Sequence, residues 1–237
     1  MSTSSEKEPI SIKELLIKAT FAPNRALRPG VEVIDLGILG EEAERLHDLS
    51  ATGTKIEYML PAIITSDRKI KLRKEDIHGS GKSVAYLMKI RLERNYTRLP
   101  KEKRQEYFLA VGIHNHPVPT PPSPCDLGGL FLSDENPIAS TAVFTSSEAE
   151  KIVLFRGENT PGWTRDFIDQ KVISWDKMIE ERAFASLRPN MLMREQTQTN
   201  RRVQMAWLRD VVAKYDLQAF SCPIRENIAR RMIFPQR

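Results

Sequence analysis

Two of the four histidines in this chain stand two positions apart, and an aspartate follows them closely. His114 and His116 come directly after the apolar run 107–113, which is typical of a buried strand. Because residues i and i+2 of a strand point to the same side, both imidazoles can face one point. Asp126 lies ten residues beyond His116, behind a proline-rich loop whose restricted backbone could return a carboxylate to the histidine pair.

These three side chains form a donor set that suits a catalytic metal ion. Two imidazoles and one carboxylate, with a fourth position for water, are the ligands of a catalytic rather than a structural zinc ion. The sequence therefore predicts a Zn²⁺ site made by His114, His116 and Asp126. Cys125 is the neighbour of Asp126, and it is expected to face away from the metal as an inert thiol.

The segment that carries these residues resembles a known metallopeptidase signature. The strings HNHP at 114–117 and SPCD at 123–126 resemble the His-x-His-Pro…Ser-x-x-Asp signature of the JAB/MPN metallopeptidases, also called JAMM proteins. They are closest in motif to the RadC-like branch. The resemblance covers about residues 30–165, and it implies that the three predicted ligands bind zinc.

The resemblance also implies roles for two further residues. Glu57 stands where the family has the glutamate that acts as general base on the attacking water, and Ser123 matches the serine that helps to stabilise the oxyanion. A carboxylate can accept that proton, and a hydroxyl can donate to the charge that develops on the carbonyl. Three acidic residues are alternatives to Glu57, but they are predicted to be exposed helix residues: Glu41, Glu42 and Glu44.

The elements around the motif predict an α/β fold. Strands are predicted at 55–65, 70–73, 107–113, 141–145 and 151–156, and helices at 41–49 and 83–96. Pro61 cannot donate a ladder hydrogen bond, which indicates an edge strand or a bulge. The prediction is a mixed β-sheet with flanking helices, and the resemblance implies JAB/MPN-like, cytidine-deaminase-like layering.

Three segments are predicted along the chain. Residues 1–29 form an N-terminal tail with a short helix, 30–165 the metal-binding domain, and 166–237 a helical C-terminal appendage that is separable from the metal site. Within the appendage, helices are expected at 166–185 and 201–215, separated by the polar stretch 194–200. Core or inter-domain packing is predicted for five aromatic residues: Trp163, Phe167, Trp175, Phe184 and Trp207.

Composition excludes several classes of protein. The 237 residues carry a formal net charge of +5, and the basic residues are scattered, so nucleic-acid binding is possible but not indicated. No apolar run reaches the roughly 20 residues of a membrane span, and the start lacks the apolar core of a secretory signal, so a cytoplasmic location is expected. The turn at Gly81-Lys82-Ser83 invites a phosphate-loop interpretation, but Asp76 replaces the first glycine of that motif.

Together these features predict a zinc-dependent metallopeptidase or isopeptidase that cleaves an amide bond in a protein or ubiquitin-like substrate. The alternative is a catalytically silent MPN-type scaffold, or a RadC-like protein associated with DNA processing. The substrate and the oligomeric state cannot be derived from the residues.

Overall fold

The computed structural model describes residues 8–51, 56–74, 78–80, 100, 107–133 and 139–234. Over these ranges the chain has an α/β fold with one large mixed sheet, as predicted. The predicted helix at 83–96 and the turn at Gly81-Lys82-Ser83 lie outside the described residues. Within the described ranges, no helix is both long and apolar enough to span a bilayer.

The described chain contains ten strands and five α-helices. The strands are β1 (Ile10–Ser11), β2 (Val33–Asp35), β3 (Glu57–Thr65), β4 (Ile70–Leu72), β5 (His78–Ser80), β6 (Tyr107–Asn115), β7 (Ala142–Ser146), β8 (Glu150–Arg156), β9 (Leu217–Pro223) and β10 (Ile228–Arg231). The helices are α1 (Ile12–Thr20), α2 (Gly37–Ala51), α3 (Pro124–Leu127), α4 (Arg165–Ser186) and α5 (Met193–Lys214).

All ten strands belong to one sheet, in the order β1-β2-β10-β9-β8-β7-β6-β3-β4, with β5 paired to β3. Only β1–β2 and β6–β7 are parallel among these pairs of described strands. The five strands predicted from the sequence are confirmed, and β7 and β8 pair as an antiparallel hairpin as expected. The sheet therefore places β6, which carries the histidines, in its interior between β3 and β7.

Pro61 lies within β3, which pairs with β6 on one side and with β4 on the other. The edge-strand interpretation of Pro61 is therefore wrong. The alternative of a bulge is confirmed, because the β3–β6 register shifts between Ala62 and Ile63, where their partners are Val111 and Leu109. An extra residue in one strand locally interrupts the ladder, which accommodates the missing N–H of a nearby proline.

The C-terminal third of the chain differs from the predicted helical appendage. Residues 166–237 do begin with two long helices, but β9 and β10 then enter the central sheet between β8 and β2. Strand β9 pairs with β8 along its whole length, from Glu150↔Pro223 to Arg156↔Leu217. The predicted domain boundary between residues 165 and 166 thus divides strands that belong to one continuous sheet. A short strand buried on both faces has no distinctive period of its own, so its pairing partner decides its structure.

The polar stretch 194–200 is also part of a helix rather than a linker. It forms the first two turns of α5, where Glu195 Oε2 accepts a hydrogen bond of 2.9 Å from the Leu192 N–H. Glutamine, glutamate and arginine are good helix formers, so a polar sequence can be an exposed helix. The polarity of this stretch therefore reflects its exposure on the helix, and the predicted break between two helices is wrong.

Each face of the sheet carries its own apolar layer. Helices α1 and α2 cover one face through Ile12, Leu16, Leu39 and Leu46. The other face is covered by α3, α4, α5 and the turn Gly128–Phe131. An aromatic cluster lies in this second layer, with ring centroids 4.7–6.3 Å apart; its members are Phe131, Trp163, Trp175, Trp207 and Tyr215.

Two aromatic residues predicted to pack in the core lie at or beyond its edge. Phe167 contacts the Trp163 ring but is 41% exposed, and Phe184 is 81% exposed. Phe184 belongs to the last turn of α4, beyond the last buried residue of that helix, Ile179, and it is a member of neither apolar layer. The packing prediction is wrong for Phe184 and confirmed for Trp175 and Trp207, which are buried.

Candidate metal centre

The three predicted ligands meet at the end of β6. His114 is in the strand and His116 follows its last residue, so the alternation of the strand puts both imidazoles on the face covered by α3 and α4. The Nε2 atoms of His114 and His116 are 3.2 Å apart. Asp126 Oδ1 is 3.0 Å from His114 Nε2, and Asp126 Oδ2 is 3.2 Å from His116 Nε2. All three side chains are buried.

This geometry fits a metal ion with short bonds to nitrogen and oxygen. Two ligands at roughly 2.0–2.1 Å from a tetrahedral ion are about 3.4 Å apart, close to the spacing observed here. The ligand atoms of the three residues all lie within 4.8 Å of one another. Since an imidazole lone pair and a carboxylate repel at such distances, a proton or a cation must lie between them.

A hydrogen bond from the proline-rich loop orients His116. Its Nδ1 lies 3.0 Å from the Thr120 carbonyl oxygen and 3.1 Å from Thr120 Oγ1. With Nδ1–H donated to that carbonyl, the Nε2 lone pair of His116 points toward His114 and Asp126. Histidines that bind metals use such a bond to fix their tautomer and ring orientation. Thr120 was not among the predicted site residues, and its position in the loop gave no signal.

The short helix α3 places the carboxylate. Pro124 occupies its first turn, where proline is tolerated because it lacks only an N–H that is unpaired at that position. Asp126 is the third residue of the helix, and its Oδ2 accepts a hydrogen bond of 2.6 Å from the Ser123 N–H. One carboxylate oxygen thus faces each histidine while the backbone of α3 fixes the rotamer.

Burial and charge act against each other within this group. Burial would lower the pKa of His116, but the hydrogen bond and charge of Asp126, together with the charge of Glu57, raise it overall. Burial would raise the pKa of Asp126, but His114 and His116 hold that pKa well below its usual range. The site therefore keeps a carboxylate ionised in a buried place, which favours binding of a cation.

Glu57 is the first residue of β3, the strand that pairs with the histidine-bearing strand β6. Met59 pairs with His114 in the antiparallel β3–β6 ladder, which puts Glu57 two residues further along, opposite His116 and on the same face. Its charge contributes to the raised pKa of His116. The structure thus brings the predicted base to the metal centre, at the half-buried rim.

Asn115, between the two histidines, holds that part of β3 in place. Its Oδ1 accepts a hydrogen bond of 2.7 Å from the Tyr58 N–H, and its Nδ2 donates one of 3.3 Å to the Ile56 carbonyl. These two bonds bracket Glu57 on either side. Asn115 is fully buried, yet it was not predicted as a site residue, although the Asn within the HNHP string marked the position.

Ser123 lies at the N-cap of α3 and is half-buried. Ser123 supports the centre through its backbone N–H, which donates a hydrogen bond to Asp126. This contact explains the residue as the start of the helix that carries Asp126. The predicted oxyanion role of the Ser123 hydroxyl stays a prediction. Cys125 is exposed and is not among the donors that converge in the described part of the chain; its inertness stays a prediction.

The alternative bases on α2 are on the other face of the sheet, since α2 packs in the layer opposite the metal centre. Glu41 is exposed as predicted, but Glu42 is 6% exposed, so that prediction was wrong. Glu42 is held by two cations, with Oε2 2.7 Å from Arg45 Nε and Oε1 2.5 Å from Lys74 Nζ. Glu44 pairs with Arg225. None of these three carboxylates competes with Glu57 for the site.

A further carboxylate from α4 lies near the centre. The pKa of Asp176 is raised, first by burial and then by the negative charges of Glu180 and Asp126. Helix α4 packs on α3 and on the turn that follows it, where Ile168 lies against Gly128. No local pattern joins Asp176 to the histidine motif, because fifty residues separate it from Asp126.

The chain matches no protein-family model, and neither a curated protein nor a solved structure is significantly similar to it.

Proposed function

We propose that this protein is a zinc-dependent hydrolase that cleaves an amide bond in a protein or protein-tag substrate, in the manner of the JAB/MPN metallopeptidases. The single observation that carries the proposal is the buried convergence of two histidine Nε2 atoms and one carboxylate. The proposal includes zinc as the metal and the JAB/MPN-like layering of the fold. Helices on both faces of a mixed sheet are compatible with that layering.

The donor set supports zinc in particular. His114, His116 and Asp126 would hold the ion, and two imidazoles with one carboxylate leave one tetrahedral position for water or substrate. When bound, zinc would supply Lewis-acid polarisation of the substrate carbonyl and a water of lowered pKa. The Thr120 carbonyl and the Ser123 N–H keep the ligands in their binding orientation.

Glu57 supplies the proton chemistry in this proposal. Its carboxylate accepts a proton from the attacking water and returns it to the leaving amine. Two observations support this role: Glu57 shares the face of the histidines, and its charge acts on His116. The two hydrogen bonds of Asn115 hold the adjacent backbone, so the carboxylate starts from a fixed strand position.

The test is a comparison of native protein with Glu57→Gln, after both have been loaded with zinc. Glutamine keeps the size of the side chain but cannot accept the proton. We expect equal zinc content and a loss of turnover of about 10²-fold or more, the usual contribution of a general base. Glu41→Gln, on an exposed position of α2, is the matched control and should keep full turnover.

Cleavage is followed by mass spectrometry on a defined peptide library and on isopeptide-linked protein conjugates. Undiminished turnover in Glu57→Gln would contradict the assigned base. A zinc-loaded native protein that cleaves none of these substrates would favour the silent MPN-type scaffold instead.

A further inference from the structure

A cleft on α5 combines arginine side chains with an apolar wall. Its volume is about 390 Å³, within the range of small-molecule sites. It is lined by Arg201, Arg202, Met205, Ala206, Arg209 and Phe234. None of these residues belongs to the metal centre.

Helical spacing explains why three guanidinium groups share this cleft. Arg201 and Arg209 are eight residues apart, and Arg202 and Arg209 seven, so all three lie on adjacent rows of one side of α5. Trp207 lies on the side of the helix away from Arg202 and Arg209, and it is buried in the apolar layer on the sheet. The tertiary packing of α5 therefore turns the arginine side outward.

The three arginines differ in how their charge is compensated. Arg201 forms an ion pair with Glu150 of β8, which ties this side of α5 to the sheet. The Arg209 Nη2 is 3.6 Å from Asp210 Oδ1, too far for a hydrogen bond, and it is buried with no acceptor among the described residues.

Arg202 is the least compensated of the three. Its Nη2 donates only a long bond of 3.4 Å to Thr199 Oγ1, and no carboxylate of the described chain lies within ion-pair distance. Arg202 is exposed, so the cost of an unpaired buried guanidinium N–H falls on Arg209, and an oxyanion in the cleft would relieve that cost. The cleft itself is lined by no acidic residue.

We propose that this cleft binds a small phosphorylated molecule whose phosphate is held by Arg202 and Arg209 and whose flat apolar group lies against Phe234. Guanidinium groups form bidentate, charge-assisted bonds with phosphate oxygens. Phe234 and Met205 supply the apolar surface on which a planar ring packs. The site is independent of the proposed hydrolase activity.

The probe is adenosine monophosphate, compared with inorganic phosphate and adenosine by isothermal titration calorimetry on the full chain. We expect saturable binding of the nucleotide, weaker binding of inorganic phosphate and none of adenosine. Arg202→Gln and Arg209→Gln should each lower the affinity about tenfold, the usual effect of one charge-assisted bond. Arg194→Gln, an exposed arginine of the same helix outside the cleft, should leave the affinity unchanged.

Phe234→Ala tests the apolar half of the proposal, and we expect it to weaken nucleotide binding but not phosphate binding. Circular dichroism melts of all variants show whether each remains folded. The proposal is overturned if native protein binds neither the nucleotide nor phosphate at millimolar concentration, or if Arg194→Gln weakens binding as much as Arg202→Gln. Equal affinity for adenosine and the nucleotide would overturn the role of the arginines.

Discussion

The metal centre and the aromatic cluster lie on the same face of the sheet but are built in opposite ways. The donors of the candidate metal centre, His114, His116 and Asp126, come from one strand and from the loop and short helix that follow it. The rings of the aromatic cluster come from a turn, a loop and the two long helices, between positions 131 and 215. Residues close in sequence supply the candidate metal ligands, whereas residues far apart in sequence assemble the aromatic packing.

Energetically the two regions also contrast. Burying the carboxylate and the imidazoles costs free energy that only a proton or a cation can offset. Burying large aromatic rings is favourable, and tilted or edge-to-face contacts of the kind seen here add to it. Stability and metal binding should therefore be separable by substitution.

The largest effect is expected at the metal centre itself. We expect the native protein to bind about one zinc ion per chain and the double variant His114→Ala/His116→Ala to bind none, because a single carboxylate cannot hold the ion. Zinc content is measured by inductively coupled plasma mass spectrometry after dialysis. His47→Ala, on α2, is the control and should keep its zinc. Full occupancy in the double variant would refute the assignment of the site.

The second prediction addresses the aromatic cluster. Trp207 is 1% exposed and contacts the Trp175 ring, so Trp207→Ala should lower the free energy of unfolding by about 3–5 kcal/mol. Zinc per folded chain should not change. Urea denaturation with parallel zinc analysis measures both, and Phe184→Ala, at an exposed position, should be nearly neutral. Loss of zinc from folded Trp207→Ala would show that the two regions are coupled.

Asn115 should have an intermediate effect, because its two hydrogen bonds contribute to stability and also hold the backbone beside Glu57. Asn115→Ala removes two hydrogen bonds to the backbone on either side of Glu57, and this should cost about 1–3 kcal/mol of stability. Zinc should stay bound, while any turnover should fall because the backbone next to Glu57 is no longer held. Denaturation, zinc content and turnover are measured on the same samples. Unchanged turnover with reduced stability would limit Asn115 to a structural role.

The smallest expected effect is on the pH dependence of stability, and it involves Glu42 on the opposite face of the sheet. Burial would raise the pKa of Glu42, but Lys74 and Arg45 hold it below its ordinary value of 4.5. Because the pKa of Glu42 is lower in the folded than in the unfolded chain, its contribution to stability is fully present above the unfolded pKa. That contribution is lost as the pH falls through the folded pKa. Glu42→Gln should therefore reduce stability at neutral pH, by on the order of 1 kcal/mol.

The difference between native protein and Glu42→Gln should shrink in acid, and urea unfolding between about pH 3 and 7 follows it. Zinc binding at neutral pH should be unaffected. A difference that grows in acid would contradict the lowered pKa. Glu41→Gln, an exposed neighbour, should show no such dependence.

Local patterns predicted the elements around the metal centre well. The strand ending at the histidines follows from an apolar run, and the common direction of the two imidazoles follows from the period of a strand. The prolines of the loop correctly indicated a short return path to Asp126. These features depend on neighbours within about a dozen residues, so they can be inferred from the local sequence.

Other features were beyond local reasoning. The burial of Glu42 depends on Lys74, a residue far along the chain, and the exposure of Phe184 depends on which residues of α4 the apolar layer covers. The segments at 217–223 and 228–231 become strands because β8 and β2 offer free edges to pair with. A propensity for helix or strand is too weak to decide such cases when tertiary pairing competes with it.

The sequence by itself determined the donor set of this protein, because ligand type and spacing along one strand and one loop are local properties. It also determined most of the central strands and the α/β class. Only the tertiary structure decided that Asn115 clamps the backbone beside Glu57, that Asp176 approaches Asp126, and that the C-terminal strands complete the sheet. The physical reason is that these contacts join residues distant in sequence, and their free energy exists only once the chain has closed the intervening loops.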